Sequence, residues 1–338
     1  MITAYQLSFT SPAHFGLEGI GQERVEQLVR SDTLWGALVQ KWLLLYDDDP
    51  DLLCQETTFK VSSCFPFIQG QLYFPVPAGT LDKVMDDVAH METGHLPFDL
   101  KDLKKIRYFA EPLFRKVISG GTPTLADINE ATVYPSPVIH SESAGLEASI
   151  FSLEMQRPRV ALNQMLGGVR EGAFFYCTDQ FFDTDSGLFF LATFTASEIQ
   201  TRFEAALRLL GDCGLGADRS IGRGCFSFTS TPMDFQTSSK GSSYVLLSLY
   251  HPARDEVEQG IMSSEKSAYT LVRRSGYAAS HMVGRFRRAD CWMLTEGARL
   301  PFAPVGQTPC VLAKSEHIPH NVYRYGKAFC LPLAGGDV

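Results

Sequence analysis

The sequence predicts an α+β fold in two parts: an amino-terminal unit of βαββαβ order, the ferredoxin-like or RRM-like arrangement, and a second part built mainly of strands. Two amphipathic helical stretches, at 31–46 and 198–211, are each flanked by apolar runs of strand length. Beyond a Ser-, Thr- and Gly-rich stretch at 230–243 the apolar runs are strand-like only, which sets the domains at 1–232 and 240–338.

The elements follow in order. AYQLSFT (4–10) reads as the first strand. SDTLWGALVQKWLLLY (31–46) reads as a helix capped by Ser31 or Asp32, with Leu34, Leu38, Trp42 and Leu45 along one face. FKVSSCFPF (59–67) supplies the second strand and GLFFLATFT (187–195) the third. Ser197 precedes EIQTRFEAALRLLG (198–211), with Gln200 at the capping-box position, Ile199, Phe203, Leu207 and Leu210 in register, and Gly211 as the stop. CFSFTS (225–230) closes the unit as its fourth strand.

This order requires residues from 70 to about 186 to be one long insertion between the second and third strands. The insertion holds KDLKKIRYF (101–109) and, from Pro135 to Gln164, mixed text that suggests an extended hairpin. It is expected to be an arm or thumb without an apolar core of its own. The second part carries strand patterns at YVLLSLYHP (244–252), YTLVRRSGY (269–277), CWMLTEGARL (291–300) and VYRYGKAFCLPL (322–333).

At 338 residues and 45% apolar, the chain has enough material for a core in each part. MITAYQLSF lacks the basic flank and apolar stretch of a signal peptide, and the longest uncharged apolar runs, such as LFFLATF at 188–194, are too short to span a bilayer. Eight cysteines without a CxxC pair argue against a zinc ribbon or a thioredoxin-type site, so a reducing cytoplasm is the expected location. No cofactor is expected. A net charge of −8 weighs against nucleic acid as a partner until its distribution is read. Residues 1–100 hold five Lys/Arg against fourteen Asp/Glu, whereas 268–330 hold nine against three.

The stretch that asks for a function is GLGADRSIGRG at 214–224, four glycines and two arginines between a helix and a strand. It is neither GxxxxGK[ST] nor a GxGxxG between a strand and a following helix, which excludes the two nucleotide-binding loops. Glycines lacking Cβ let backbone N–H groups approach an anion, and Arg219 and Arg223 add charge-assisted bonds, a chemistry that suits phosphates of a single strand. The alternative is a tight turn whose arginines pair with Asp218.

HFG (14–16), SDTLWGAL (31–38), SSCFPF (62–67), RPRVALN (157–163), GLGADRSIGRGCF (214–226), RRSGY (273–277), EGARL (296–300) and VYRYGKAF (322–329) together resemble the RAMP superfamily of CRISPR proteins. Within it, the chain is most similar to the fourth subunits of type III-A (Csm) effector complexes. The resemblance implies two RRM-like domains, no catalytic activity, and a grip on the 5′ handle of the guide RNA (crRNA). It implies two protein partners, the large Cas-ten-type subunit and the first copy of the backbone RAMP subunit. Carried over by motif, Gly214, Gly216, Arg219, Ser220, Gly222, Arg223 and Gly224 line the handle, joined by His14, Ser31 and Thr33. Ala217 and Ile221 stand where the family often has a glycine and a small polar residue. Type III-B complexes have a handle holder of the same kind, which the motifs alone do not separate.

Arg157 and Arg159, on the carboxyl side of the arm, are candidates for the guide backbone, as are Lys104, Lys105 and Arg107 from its other side. Arg273, Arg274, Arg285, Arg287 and Arg288 form the densest basic cluster, and Tyr277 beside them either stacks a base or packs in the core. His14 also admits an enzymatic alternative, a metal-independent RAMP endoribonuclease using it as general base, although no partner acid or cation stands near it in sequence. HIPH (317–320) has a metal-like spacing broken by Pro319, and DDDPD (47–51) lacks the later ligands of an EF-hand; a surface loop and a solvated helix exit are expected.

Overall fold

A computed structural model describes residues 1–16, 25, 26, 28–56, 58–90, 100–129, 132–135, 151–163, 168–236, 241–279 and 285–334. Part of the expected linker, 237–240, and much of the expected arm, 136–150, lie outside the described residues. The chain begins with β1 (Ile2–Phe9), α1 (Ser31–Leu45), α2 (Pro50–Gln55), β2 (Phe59–Val61), β3 (Phe65–Ile68) and β4 (Gln71–Pro75). The insertion continues with α3 (Asp82–Ala89), α4 (Leu100–Leu103), β5 (Tyr108–Ala110), α5 (Glu111–Ile118), β6 (Val133–Tyr134), β7 (Ser152–Asn163) and β8 (Gly168–Phe182). β9 (Gly187–Phe194), α6 (Ser197–Cys213) and β10 (Phe226–Met233) complete the amino-terminal part. The remainder holds β11 (Ser243–Leu246), α7 (Arg254–Glu258), β12 (Leu271–Arg274), β13 (Tyr277–Ala279), β14 (Arg285–Arg287), β15 (Cys291–Leu294), β16 (Arg299–Leu300), β17 (Cys310–Leu312), β18 (Val322–Tyr323) and β19 (Cys330–Leu333).

The architecture is mixed α/β with antiparallel sheets. The main sheet runs β10-β1-β9-β3-β4-β5-β6, with β2 also on β9. FKVSSCFPF is therefore two strands on one partner, broken at Ser62–Cys64, where Ser62 Oγ accepts from Leu191 N and Ser63 N donates to Leu247 O.

β9 explains how the layers form. Its side chains alternate: Leu188, Phe190 and Ala192 join one core with α1 and α6, and Phe189 and Leu191 join a second on the other face. A strand buried on both faces reads as one continuous apolar run, as GLFFLATF does. The first core holds Leu34, Leu38 and Trp42 of α1 and Phe203, Leu207 and Leu210 of α6. Arg202 ties the two helices, pairing with Asp48 and lying over the rings of Trp42 and Tyr46.

The second core corrects the expectation that the insertion lacks one. Phe74, Leu81, Val84, Phe109, Leu113, Phe114, Ile118 and Val133 are buried together, and β4, β5 and β6 widen the main sheet. Among the described residues of the insertion, β7 and β8 pair as a separate two-stranded sheet, whose Gln180 bridges Ala13. Val245, Leu247, Phe329, Leu331 and Leu333 from the carboxyl-terminal part complete the same core, so the two parts share an apolar interior.

Two helix ends differ from the sequence reading. α1 starts one residue after Arg30, with no side-chain cap, while Ser31 and Asp32 are buried in its first turn. α6 runs past Gly211 to Cys213; Gln200 makes no capping box and bonds Tyr5 and Glu204 instead. Gly211 is an approach point: a Cβ there would overlap the carbonyl oxygen of Phe226 in β10. Asp49 caps α2 through Asp51 N and Leu52 N, giving the acidic run a structural task.

Ser31, Asp32 and Arg274, expected in part to meet RNA, instead lock α1 to the carboxyl-terminal strands. Ser31 is fully buried, its hydroxyl accepting from Leu249 N (3.0 Å) and its N–H donating to Ser63 Oγ (2.9 Å). Arg274, 7% exposed, grips Asp32 with two donors at 3.0 and 3.1 Å, and Arg324 donates to the same carboxylate from β18's exit. Burial alone would push the Asp32 carboxyl up; the two guanidinium groups outweigh it and hold it below the usual carboxylate range. Tyr325 stacks on Trp35 at 5.3 Å and receives Val61 N–H, and Glu296 accepts from Ser63 and pairs with Arg30. Thr33, exposed at the rim, receives a bond from Arg274 (3.2 Å).

Two outcomes follow from this packing. Gly211→Ala gains about 1 kcal/mol of helix propensity but must move β10, so thermal denaturation should show a net loss of about 1–3 kcal/mol. Asp32→Asn leaves two buried arginines short of a counter-charge and should cost about 3–5 kcal/mol in urea denaturation. Because the folded pKa of Asp32 is depressed, its contribution is complete above about pH 4 and lost as pH falls through the folded value. The stability of the variant should accordingly fall less steeply below about pH 4 than that of the wild type.

Candidate nucleic-acid interface

The glycine loop leaves α6 at Gly214, passes through a single 3-10 turn at Arg219–Ile221, and enters β10. It folds back on itself and on the segment after β1. Leu215 N donates to Gly224 O, Ala217 N to His14 O, and Gly224 N to Pro12 O, each at 2.8 Å. Gly224 is required: it has φ 73°, and a Cβ would collide with the carbonyl of Leu215. At Gly216, φ 105°, a Cβ would lie 2.6 Å from the carbonyl oxygen of His14.

Three of the four glycine amides expected to approach phosphate already have acceptors, Gly214, Gly222 and Gly224 donating to Leu210, Arg219 and Pro12, and Gly214, Gly216 and Gly224 allow close backbone packing. Positive charge is delivered by side chains. Arg223 (2.7 Å) and Arg157 (3.1 Å) converge on one oxygen of Asp179, whose side chain is 1% exposed on β8. Arg159 of β7 pairs with Asp218 of the loop at 2.7 Å, tying the hairpin to the loop. Arg219, exposed, reaches Gln40 of α1 at 3.4 Å, and Ser220 is exposed beside it. Three arginines thus surround two carboxylates and a fourth, Arg219, reaches an amide beside them, with Arg157 45% exposed and lying over the ring of Phe181.

His14 joins this cluster from beneath. It is 2% exposed, and its Nδ1–H donates to the carbonyl of Thr178 at 2.6 Å; that acceptor fixes the tautomer. Cys177 lies 3.7 Å from the same nitrogen and 3.5 Å from Asp218, and burial pushes its thiol pKa up, away from a reactive thiolate.

The structure therefore brings His14, Arg157, Arg159 and the loop together, and places Ser31, Thr33 and Arg274 at the α1 seam. Tyr277, 59% exposed on β13, stands with the carboxyl-terminal basic cluster, settling its alternatives in favour of exposure. Lys104, Lys105 and Arg107 are exposed between α4 and β5, near the sheet edge remote from β10. Arg285 belongs to β14, but its side chain lies outside the described residues. The sequence reading missed Asp179, Gln40 and Trp292. Asp179 sits in an aromatic strand with no motif around it, and an exposed Trp292 is legible only once the β12–β15 register is known.

A cavity of about 930 Å³ opens at the α1 seam, away from the loop, lined by Arg30, Ser63, Tyr108, Tyr134 and Glu296. Arg30 and Glu296 neutralise each other there, so it has no surplus charge for an anion. His317 stacks on Phe286, and among the described residues no group of three or more His, Cys, Asp or Glu has metal-holding geometry. No described helix is long and apolar enough to cross a membrane.

Comparison with known proteins points the same way as the motifs. Residues 239–333 match the CRISPR Csm4 C-terminal domain. The curated CRISPR system protein Csm4 of Methanocaldococcus jannaschii is 22% identical, the alignment covering 96% of this chain and 95% of that protein. A chain in the crystal structure of a Csm3–Csm4 subcomplex from a type III-A CRISPR-Cas interference complex superposes with TM-score 0.67 at 18% identity, covering 99% of this chain and all of that one. One in a Csm1–Csm4 cassette bound to cA4 gives TM-score 0.60 at 17% identity, covering 100% of this chain and 99% of that one. Residues 239–333 thus match a Csm4 C-terminal domain, and the chain as a whole shares the fold of the Csm4-containing subcomplex chains.

Proposed function

We propose that this chain is a non-catalytic subunit of a type III-A effector complex that holds the repeat-derived 5′ handle of a guide RNA. The observation that carries the reading is the set of Arg157, Arg159 and Arg223, held by Asp179 and Asp218 where hairpin and glycine loop meet, with Arg219 of the same loop reaching Gln40. Positioned guanidinium forks with spare N–H groups are suited to phosphate oxygens, and fixing them beforehand lowers the ordering cost of binding. The amino-terminal unit is read as ferredoxin-like on the order β10-β1-β9-β3, and the boundary between 232 and 240 is supported by a family match that starts at 239. Residues 240–338 are read as a second RRM-like unit.

The covered sheet supports a grip at the edge. An RRM stacks bases on aromatic side chains of its open sheet face. Here Phe65, Phe74 and Phe189 fill that face against α5 and the carboxyl-terminal strands. Loops and hairpin remain. Thr33, Gly36 and Gln40 form an exposed stripe on α1, joining Arg274 at one end to Arg219 at the other, about 10 Å along the helix axis.

Relatives crystallised as Csm3–Csm4 and Csm1–Csm4 pairs support docking to the backbone RAMP subunit and to the large Cas-ten-type subunit. The same pairs favour a type III-A setting over III-B. The endoribonuclease alternative loses support because a general base must reach its proton, and the His14 ring is enclosed with Nδ1–H committed to Thr178.

Arg157→Ala with Arg219→Ala, the most exposed of the four, should reduce handle-RNA retention in the assembled complex. The slope of log K against log salt should shrink by about 0.7 for each phosphate that is no longer neutralised; unchanged retention and slope would refute the site. Repeat RNA incubated with the purified chain in EDTA should stay intact, and specific products lost on His14→Ala would establish the enzymatic reading instead.

A further inference from the structure

We infer that the carboxyl-terminal part carries a second nucleic-acid contact, a stacking patch for single-stranded nucleic acid made of Trp292, Tyr277, Arg273 and Arg287. Directly opposed residues of an antiparallel pair share a face. Arg273 opposes Trp292 across β12 and β15, and Tyr277 opposes Arg287 across β13 and β14. Trp292 is 57% and Tyr277 59% exposed, and the side chains of Arg273 and Arg287 are 57% and 69% exposed. The two pairs belong to one patch, because Arg273 Nη1 and Arg287 Nη2 each reach the same oxygen of Asp290 at 3.7 Å.

Its chemistry selects the ligand. One half-exposed carboxylate at 3.7 Å from two guanidinium groups neutralises neither fully and leaves a surplus positive charge. Two flat rings beside two cations present the alternation that a single strand presents in reverse, bases beside phosphates. A duplex hides its base faces and has no use for the rings. A protein-binding patch of standard kind has an apolar centre depleted of charge, whereas here an aspartate and two arginines occupy the middle.

The patch is also held in place. Arg288 bonds the carbonyl of Ser275 (3.3 Å) and donates its N–H to Gly276 O (3.0 Å), while Arg324 donates to Ser275 O at 2.6 Å. The turn that sets β13 against β12 is thereby anchored to the buried Asp32 cluster. This contact is independent of the handle reading, since none of its residues belongs to the loop or hairpin.

Intrinsic fluorescence reads it directly. The chain has three tryptophans, and Trp35 and Trp42 are 5% and 2% exposed, which leaves Trp292 as the reporter. Titrating the full-length chain with a 12-residue oligo-U RNA, its DNA counterpart and a blunt RNA duplex should quench emission with the single strands, more weakly with the duplex, and less at high salt. RNA and DNA quenching equally means stacking and phosphate alone are read; RNA only means the sugar hydroxyl is read too. Both fit the patch. Tyr277→Leu, and Arg273→Ala with Arg287→Ala, should each weaken the quench-derived affinity about tenfold, the size expected for removing one stacked base. Arg157→Ala with Arg219→Ala should leave it unchanged. No quenching by either single strand, or quenching indifferent to Tyr277 and the two arginines, would overturn the patch without touching the handle reading. Loss of large-subunit binding on Trp292→Leu with no quenching would overturn it in favour of a protein surface.

Discussion

The carboxylate of Asp32 lies buried between Arg274 and Arg324, and the position of every other layer follows from it. A charge this deep is tolerable only with fully matched partners, so α1 can be seated in one register against the carboxyl-terminal strands. Tyr325 on Trp35, Ser31 under Leu249 and Glu296 on Ser63 repeat that fixation with smaller groups. Desolvation makes the cluster a weak source of net stability, and its value is in specifying one arrangement over others of similar apolar area.

Seating the carboxyl-terminal strands there closes the second face of the main sheet. Val245, Leu247 and Phe329 meet Phe65, Phe74 and Phe189, burying aromatic side chains that would otherwise face solvent. A sheet covered on both faces leaves only its edges and loops for a ligand. The arm and the glycine loop meet at such an edge, and buried Asp179 holds two arginine heads side by side where flexible surface residues would scatter.

Charge is distributed by the same logic. A chain at −8 repels a polyanion at long range, so its arginine clusters can attract an anion only at short range. Several of the basic residues are spent internally: Arg274 and Arg324 serve the seam, and Arg159 and Arg223 hold the hairpin and loop. Arg157 and Arg219 near the loop and Arg273 and Arg287 on the far strands stay exposed.

Local physics was legible in the sequence. Periodicity gave both long helices and the strands around them, because an apolar face repeating every 3.6 or 2 residues is a property of the segment itself. The motifs gave the resemblance to RAMP proteins and singled out the glycine loop. Tertiary structure decided how they are used. Ser31 and Arg274, which look like surface ligands in one dimension, are interior partners separated by more than two hundred residues from the groups they bind, and no local pattern encodes a pairing at that distance. The insertion's apolar residues looked too scattered for a core because they are completed by residues from the far end of the chain. The loop glycines read as anion seats in the sequence, whereas in the fold the carbonyls of Arg223, His14 and Leu215 fill the space beside Gly214, Gly216 and Gly224, since close backbone approach and ligand approach demand the same missing Cβ.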